Sequence, residues 1–173
     1  MGLKAIYLTA AAAALVLCGC ASYKWRSSVP EPLRSVSVPE FINETAVPEL
    51  GAAVTRQTLR EFQREGTFSI SDDSDCAVTV MGVLKRTDRL PMTYDRSYGM
   101  RASEYRMRVE AEVSLVDRTA GKVLFDNRKY KAETTFMSGR DLLTGENNAV
   151  ERLAADIARQ VVDDVVNFDY KRD

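Results

Sequence analysis

The chain has 173 residues, among them 24 lysines and arginines, 25 aspartates and glutamates, three cysteines and no histidine. Because these charges nearly balance, composition gives no reason to expect nucleic acid or an acidic membrane surface as a partner. Without histidine the chain lacks the commonest general base and the commonest transition-metal ligand, so Ser-His and Cys-His catalysis are excluded. We therefore predict no catalytic residue, no metal site and no cofactor.

Residues 1–19 follow the pattern of a secretory signal peptide, with Lys4 ahead of an apolar run that is too short to span a bilayer. The run closes in Leu17-Cys18-Gly19-Cys20, which resembles the bacterial lipobox. This resemblance implies that cleavage leaves Cys20 at the front of the mature chain, carrying diacylglycerol and a further acyl chain such as palmitate. The alternative is an ordinary signal peptide or a short membrane anchor with incidental cysteines.

Several acyl chains, each contributing about 0.8 kcal/mol per buried methylene, would make this anchor effectively permanent. Ala21 follows the lipidated residue. Since an Asp at that position tends to retain lipoproteins in the inner membrane of enteric-type bacteria, Ala21 resembles an outer-membrane address. We expect residues 20–34, with Pro30 and Pro32, to form a lipidated tether at the periplasmic face of the outer membrane. Because Cys18 leaves with the signal peptide and Cys20 carries lipid, Cys76 has no cysteine to pair with. Cys76 is expected to be a small buried apolar residue.

A single domain is predicted over residues 35–173, beginning with a strand over 35–41 that is an edge strand or ends near Pro39. Residues 43–48 are expected to be a loop. Residues 49–65 are expected to form a helix with Ala52, Thr55, Leu59 and Phe62 along its apolar face, ended by Gly66. A short strand is predicted over 67–70.

Alternating polarity predicts strands over residues 76–86, 104–116 and 122–136, the last two being antiparallel neighbours. Gly82 marks a bulge or a close backbone approach. Residues 138–147 are expected to be a loop, and Asn148 and Glu151 have capping-box spacing at the start of a second helix. The predicted fold class is α+β, a small, mostly antiparallel sheet with two amphipathic helices packed on one face.

The order of these elements is similar to that of the LptE family of lipopolysaccharide-assembly lipoproteins. The resemblance lies in the segment from Val36 to Thr45, which precedes the first helix, and in the segment from Glu104 to Val109, which follows a hairpin. The resemblance implies a non-enzymatic protein that plugs the outer-membrane β-barrel LptD, helps this barrel to assemble, and binds lipopolysaccharide on its way to the cell surface. The implied partners are therefore the barrel, lipopolysaccharide and the outer membrane.

Residues 85–108 contain seven basic and three acidic side chains, interleaved with methionine and tyrosine, in what is expected to be a loop between two long strands. Guanidinium groups suit the phosphates of lipid A, and apolar side chains suit its acyl chains. A solvated hairpin tip, or one that only wedges into the barrel, are the alternatives. The candidate contact residues for lipopolysaccharide or the barrel are Arg89, Tyr94, Arg96, Tyr98, Arg101, Arg106 and Arg108.

Three other functions remain open from the sequence. An activator of a periplasmic cell-wall synthase has the same plan of lipid, tether and domain. A hydrolase with paired carboxylates would need adjacent pairs such as Asp72 and Asp73 to converge, but neighbours in sequence point in different directions. A lipid carrier would need an internal cavity.

Overall fold

The computed structural model describes residues 29–95, 101–137 and 142–170. A short 3-10 turn at Glu31–Leu33 comes before the first strand. In chain order the remaining elements are β1 (Ser35–Ser37), β2 (Ile42–Asn43), α1 (Leu50–Glu65), β3 (Ser69–Ile70), β4 (Val78–Asp95), β5 (Arg101–Asp117), β6 (Lys122–Met137) and α2 (Leu142–Val166).

The six strands described form one mixed sheet in an α+β fold. Strands β4, β5 and β6 are antiparallel and make up most of it, as predicted. Three short strands are parallel, which the sequence analysis did not predict: β1 pairs with both β3 and β4, and β2 pairs with β4. The expectation of a loop at residues 43–48 is therefore wrong at Asn43. Strand β1 ends at Ser37, before Pro39, and is not an edge strand.

The β4–β5 hairpin is longer than its sequence pattern indicates. Its pairing runs from Val78 opposite Asp117 to Asp95 opposite Arg101, so the predicted loop over residues 87–103 is mostly strand. Past Leu84 no other described strand pairs with β4, and most side chains there contact solvent, so apolar alternation disappears. Pro91 is compatible with this half of β4 because it is an edge, the part of a sheet in which proline is accommodated.

Helix α1 ends as predicted at Gly66, which adopts a left-handed φ of 80° and donates its N–H to the carbonyl of Phe62 at 3.0 Å. The buried face of α1 is not the face that was predicted. Ala52 is exposed, and the side chains that enter the core recur four apart, at Leu50, Val54, Thr58 and Phe62.

Helix α2 begins at Leu142, so Asn148 lies inside it and the predicted capping box is wrong. The predicted loop over residues 138–147 is wrong from Leu142 onward, and its residues 138–141 lie outside the described part of the chain. The start was missed because the first turns of α2 carry few buried apolar side chains, so helical periodicity becomes visible only at Ala149.

One hydrophobic core joins both helices to one face of the sheet. It includes Val29, which is 2% exposed and lies within the segment predicted as tether, and Cys76 is buried as expected. On β5 the core side chains are alternate residues, and those between them face away from the helices. Both helices therefore cover the same face, and the opposite face of the hairpin, here called the open face, has no helix over it. The core members contributed by β5 are Met107, Val109, Ala111, Val113 and Leu115.

Candidate partner-binding surface

The far half of the β4–β5 hairpin carries the described members of the predicted contact set. Arg89 and Tyr94 lie on β4, and Arg106 and Arg108 lie on β5. Arg101 is the first residue of β5, and only its backbone is described. The remaining predicted residues, Cys20, Arg96 and Tyr98, lie outside the described part of the chain.

Arg89 points to the helix side of the sheet, since it stands opposite buried Met107 in the strand register. Its Nη1 lies 3.0 Å from the Glu146 carboxylate of α2, and its guanidinium lies 5.5 Å from the centre of the Tyr105 ring. The ring of Tyr105 in turn stacks on Phe136. Arg89 therefore joins the hairpin to the beginning of α2 through a charge pair and a cation–π contact.

Arg106 and Arg108 are on the open face and share one carboxylate, Glu133 of β6. The Nε of Arg106 is buried and lies 3.2 Å from a Glu133 oxygen, but at an angle that does not make a hydrogen bond. The interaction between these two groups is therefore an ion pair only. Arg108 donates a charge-assisted hydrogen bond to the other oxygen of Glu133.

The open face around these arginines is a lattice of alternating charges. One row across the three strands consists of Arg86, Glu110 and Lys131, and the next row consists of Asp88, Arg108 and Glu133. Lys131 Nζ lies 2.7 Å from Glu110, and this hydrogen bond holds the pKa of the Glu110 carboxyl below its usual value. Opposite charges on facing strands stabilise a sheet modestly.

The positive excess of residues 85–108 is thus largely compensated in three dimensions. Glu133 and Glu146 come from elements outside that stretch, so no pattern within it could have revealed them. The described arginines are held in position by carboxylates. An anionic ligand at this surface would therefore have to compete with Glu133 and Glu146.

The same end of the molecule also exposes large apolar side chains, here called the apolar end. Their exposure ranges from 37% at Leu142 to 75% at Met137. Sequence reasoning did not include Leu142 and Leu143 in the candidate contact set, because residues 138–147 were interpreted as a loop. The signal that could have identified them is an apolar pair inside an otherwise polar segment. The apolar end consists of Leu90, Met92, Tyr94, Met137, Leu142 and Leu143.

A shallow pocket of about 320 Å³ lies beside the apolar end, between the last residues of β6 and the first turns of α2. Phe136 and Met137 line one side of it, and Asn148 and Arg152 line the other.

Among the residues that the structure describes, no cluster of His, Cys, Asp and Glu side chains could hold a metal ion. Within the same residues, neither helix has the length and apolarity needed to cross a bilayer.

Residues 33–165, which comprise both helices almost completely and all six strands, match the LptE family, described as lipopolysaccharide-assembly. The chain belongs to the LptE family. A comparison with curated protein sequences finds no match. LptE membership confirms the resemblance inferred from the element order, and it supports an outer-membrane lipoprotein of the LptE type.

Several solved structures have the same fold as this LptE chain. A protein from Caulobacter crescentus assigned as a lipoprotein is 17% identical with a TM-score of 0.56, over 78% of this chain and 90% of that chain. Lipoprotein B from Nitrosomonas europaea is 12% identical with a TM-score of 0.57, over 84% and 89%. A minor lipoprotein from Acinetobacter baumannii is 14% identical with a TM-score of 0.51, over 78% and 93%. At these identities the likeness concerns the fold.

Proposed function

We propose that this protein is a lipid-anchored, non-enzymatic plug and assembly partner of an LptD-type β-barrel, and that it contacts lipopolysaccharide during transport to the cell surface. Membership of the lipopolysaccharide-assembly family LptE is the observation that carries the proposal. The anchor is Cys20, at the cleavage point of the lipobox-like segment, on the periplasmic face of the outer membrane.

The shape of the domain suits a plug. Helices close one face of the sheet. On the open face of the hairpin, charged side chains form ion pairs with one another, Arg108 with Glu133 and Lys131 with Glu110. Such a face can lie in a hydrated barrel interior without leaving unpaired charges. The apolar end is the part of the described surface that gains most from contact with a partner, because large apolar side chains are clustered there.

The hairpin offers two kinds of contact to an anionic lipid. Phosphate groups would be bound by arginine guanidinium groups, and acyl chains would lie against apolar side chains such as Met92. We assign these contacts to the predicted set, in which Arg89, Arg106 and Arg108 would exchange their present partners, Glu146 and Glu133, for phosphate. The further members of the set are Tyr94, Arg96, Tyr98 and Arg101.

Charge reversal tests the lipid contact directly. We expect the triple variant Arg89→Glu, Arg96→Glu and Arg101→Glu of the full-length protein, in detergent, to capture several-fold less lipopolysaccharide than wild type. A matched control reverses three exposed arginines on the helices, Arg60, Arg64 and Arg159. A cooperative thermal unfolding transition in each of the three proteins establishes that folding is retained. Unchanged capture by the hairpin variant would remove this surface from the proposal.

Depletion of the protein in the bacterium that makes it tests the cellular role. We expect the amount of folded LptD-type barrel to fall and lipopolysaccharide to disappear from the cell surface. If the protein were instead an activator of a periplasmic cell-wall synthase, cell-wall synthesis would fall while barrel and lipopolysaccharide stayed at their normal levels.

Changing Cys20 to Ser should also abolish labelling of the protein by radioactive fatty acid, and labelling that persists would contradict the assigned anchor.

A further inference from the structure

Strand β6 forms one edge of the sheet. Within the described part of the chain it pairs with β5 alone, and it is 16 residues long. An edge of this length presents a row of backbone N–H and C=O groups, which another strand can join. The contacts that cover this edge therefore decide whether another strand can join it.

Two side chains of α2 occupy backbone acceptors of β6. Gln160 donates from Nε2 to the carbonyl of Lys131 at 3.0 Å, and Arg152 donates from Nη2 to the carbonyl of Thr135 at 3.0 Å. Residues eight apart on a helix are separated by about 12 Å along its axis. Residues four apart on a strand are separated by about 13 Å. The two spacings match, so α2 meets both carbonyls at once.

Carbonyl directions alternate along a strand, so Lys131 and Thr135, four residues apart, direct their carbonyls to the same side. Both accept hydrogen bonds from side chains of α2, and because β5 and β6 are direct neighbours in the sheet, these donors reach β6 from outside the ladder between the two strands. We infer that these acceptors belong to the free edge of β6. A strand that joined this edge would need the same two carbonyls.

The sequence of β6 is complementary to itself. If two copies of the strand paired antiparallel about Ala132, Lys131 of one copy would stand opposite Glu133 of the other, and this pair would occur twice by symmetry. Opposite charges directly across a pair of strands favour that register. We propose that the free edge of β6 is a pairing surface for β6 of a second copy of this chain, held closed by Arg152 and Gln160.

The test opens the edge by removing both donors. In the full-length protein in detergent, Arg152→Ala with Gln160→Ala should double the protein mass measured by light scattering as concentration rises, while wild type keeps its mass. Alanine is the best helix former and both positions are exposed, so α2 is retained. Gln160→Glu, which removes one donor without changing side-chain shape, gives a milder opening of the same edge. The matched control removes the same residue types from α1, as Arg60→Ala with Gln63→Ala, and should keep the wild-type mass.

A further charge change identifies the surface used. Adding Lys131→Glu to the opened variant would place Glu opposite Glu133 of the second copy, and the doubled mass should be lost. Amide hydrogen exchange along β6 should slow in the opened variant at high concentration and return to its monomer rate with Lys131→Glu. The proposal is overturned if the opened variant keeps its wild-type mass, or if its association persists after the charge change.

Discussion

At the scale of single residues, Gly82 fixes how the first part of the chain packs on β4. A Cβ atom added at Gly82 would lie 2.0 Å from Cε1 of the Phe41 ring, which is itself fully buried. The backbone N–H of Phe41 donates to Thr55 Oγ1 of α1 at 2.9 Å, so the backbone that carries this ring is tied to the helix. Of the two alternatives predicted for Gly82, the close approach is therefore the one that occurs here.

Gly82→Ala should lower the free energy of unfolding by about 1–3 kcal/mol, the usual range for overpacking in a core. Urea unfolding measures the change. Phe41→Leu supplies the control, since a smaller side chain at position 41 makes room for the added methyl group. The cost of Gly82→Ala should therefore be smaller in the Phe41→Leu background than in wild type. Equal costs in both backgrounds would contradict the contact.

Asp117 closes the turn between β5 and β6 with one buried carboxylate. Its Oδ1 accepts hydrogen bonds from the backbone N–H and the hydroxyl of Thr119, at 2.8 and 2.6 Å, and from the N–H of Ala120 at 3.0 Å. Burial by itself would raise the pKa of the Asp117 carboxyl, but these hydrogen bonds outweigh it, and the pKa lies below its usual value. The ionised form is therefore the one that stabilises the fold.

Because the folded pKa of Asp117 is lowered, its contribution is complete at neutral pH and is lost as pH falls below about 4 toward the folded value. Asp117→Ala should lower the free energy of unfolding by about 1–3 kcal/mol at neutral pH. The difference from wild type should shrink in acid. Asp117→Asn, which keeps an acceptor oxygen, should cost less. A loss that does not change between neutral and acidic pH would rule out the charged acceptor.

At the scale of elements, the start of α2 is set by its contact with the end of β6. A Cβ at Gly145 would lie 2.7 Å from the carbonyl oxygen of Met137 and 3.2 Å from the Phe136 ring. Arg89 and Glu146 join the same region to the hairpin. The helix can therefore begin against the strand only because residue 145 has no side chain.

Gly145→Ala separates this contact from helix propensity. Propensity alone would stabilise the helix by up to about 1 kcal/mol. The clash with Met137 should reverse the sign and destabilise the protein by about 1–3 kcal/mol. Asn147→Ala, at an exposed position two residues on, measures propensity without the clash and should be slightly stabilising. A gain in stability from Gly145→Ala equal to that of the control would show that the two elements do not touch there.

The elements that the sequence predicts well are those whose signals are local. Gly66 ends α1, and alternating side chains define β5, because the cause of each lies within a few residues. Asn43 and Ser37 belong to short parallel strands whose existence depends on β4, about 40 residues away. The carboxylate partners of Arg89 and Arg106 are also distant in sequence, on α2 and β6 respectively. These pairings required the fold, and no local pattern indicates them.

At the scale of the whole molecule, the described part of the chain has one closed face, one open charged face and one apolar end. The charges of the open face form ion pairs with one another, so a ligand or strand that uses them has to replace existing pairs. The apolar end carries side chains such as Met137 and Leu143 that gain from burial. We therefore expect binding energy for a partner to be concentrated at that end.

Met137→Ser with Leu143→Ser should leave stability within about 0.5 kcal/mol of wild type, because both side chains are exposed. The same variant should recover several-fold less barrel partner from membranes. Ile42→Ser with Val123→Ser removes two comparably exposed apolar side chains elsewhere on the molecule and serves as the control. Equal recovery by both variants would place the contact away from the apolar end.

The most direct test of the account is the identity of the protein's partner. The full-length protein, purified in mild detergent from the outer membrane of the bacterium that makes it, should bring with it an LptD-type β-barrel whose migration in gels changes on heating, in about equal amount. Recovery of a cell-wall synthase without a barrel, or of the protein alone, would contradict the proposal that this LptE-family chain is a barrel plug.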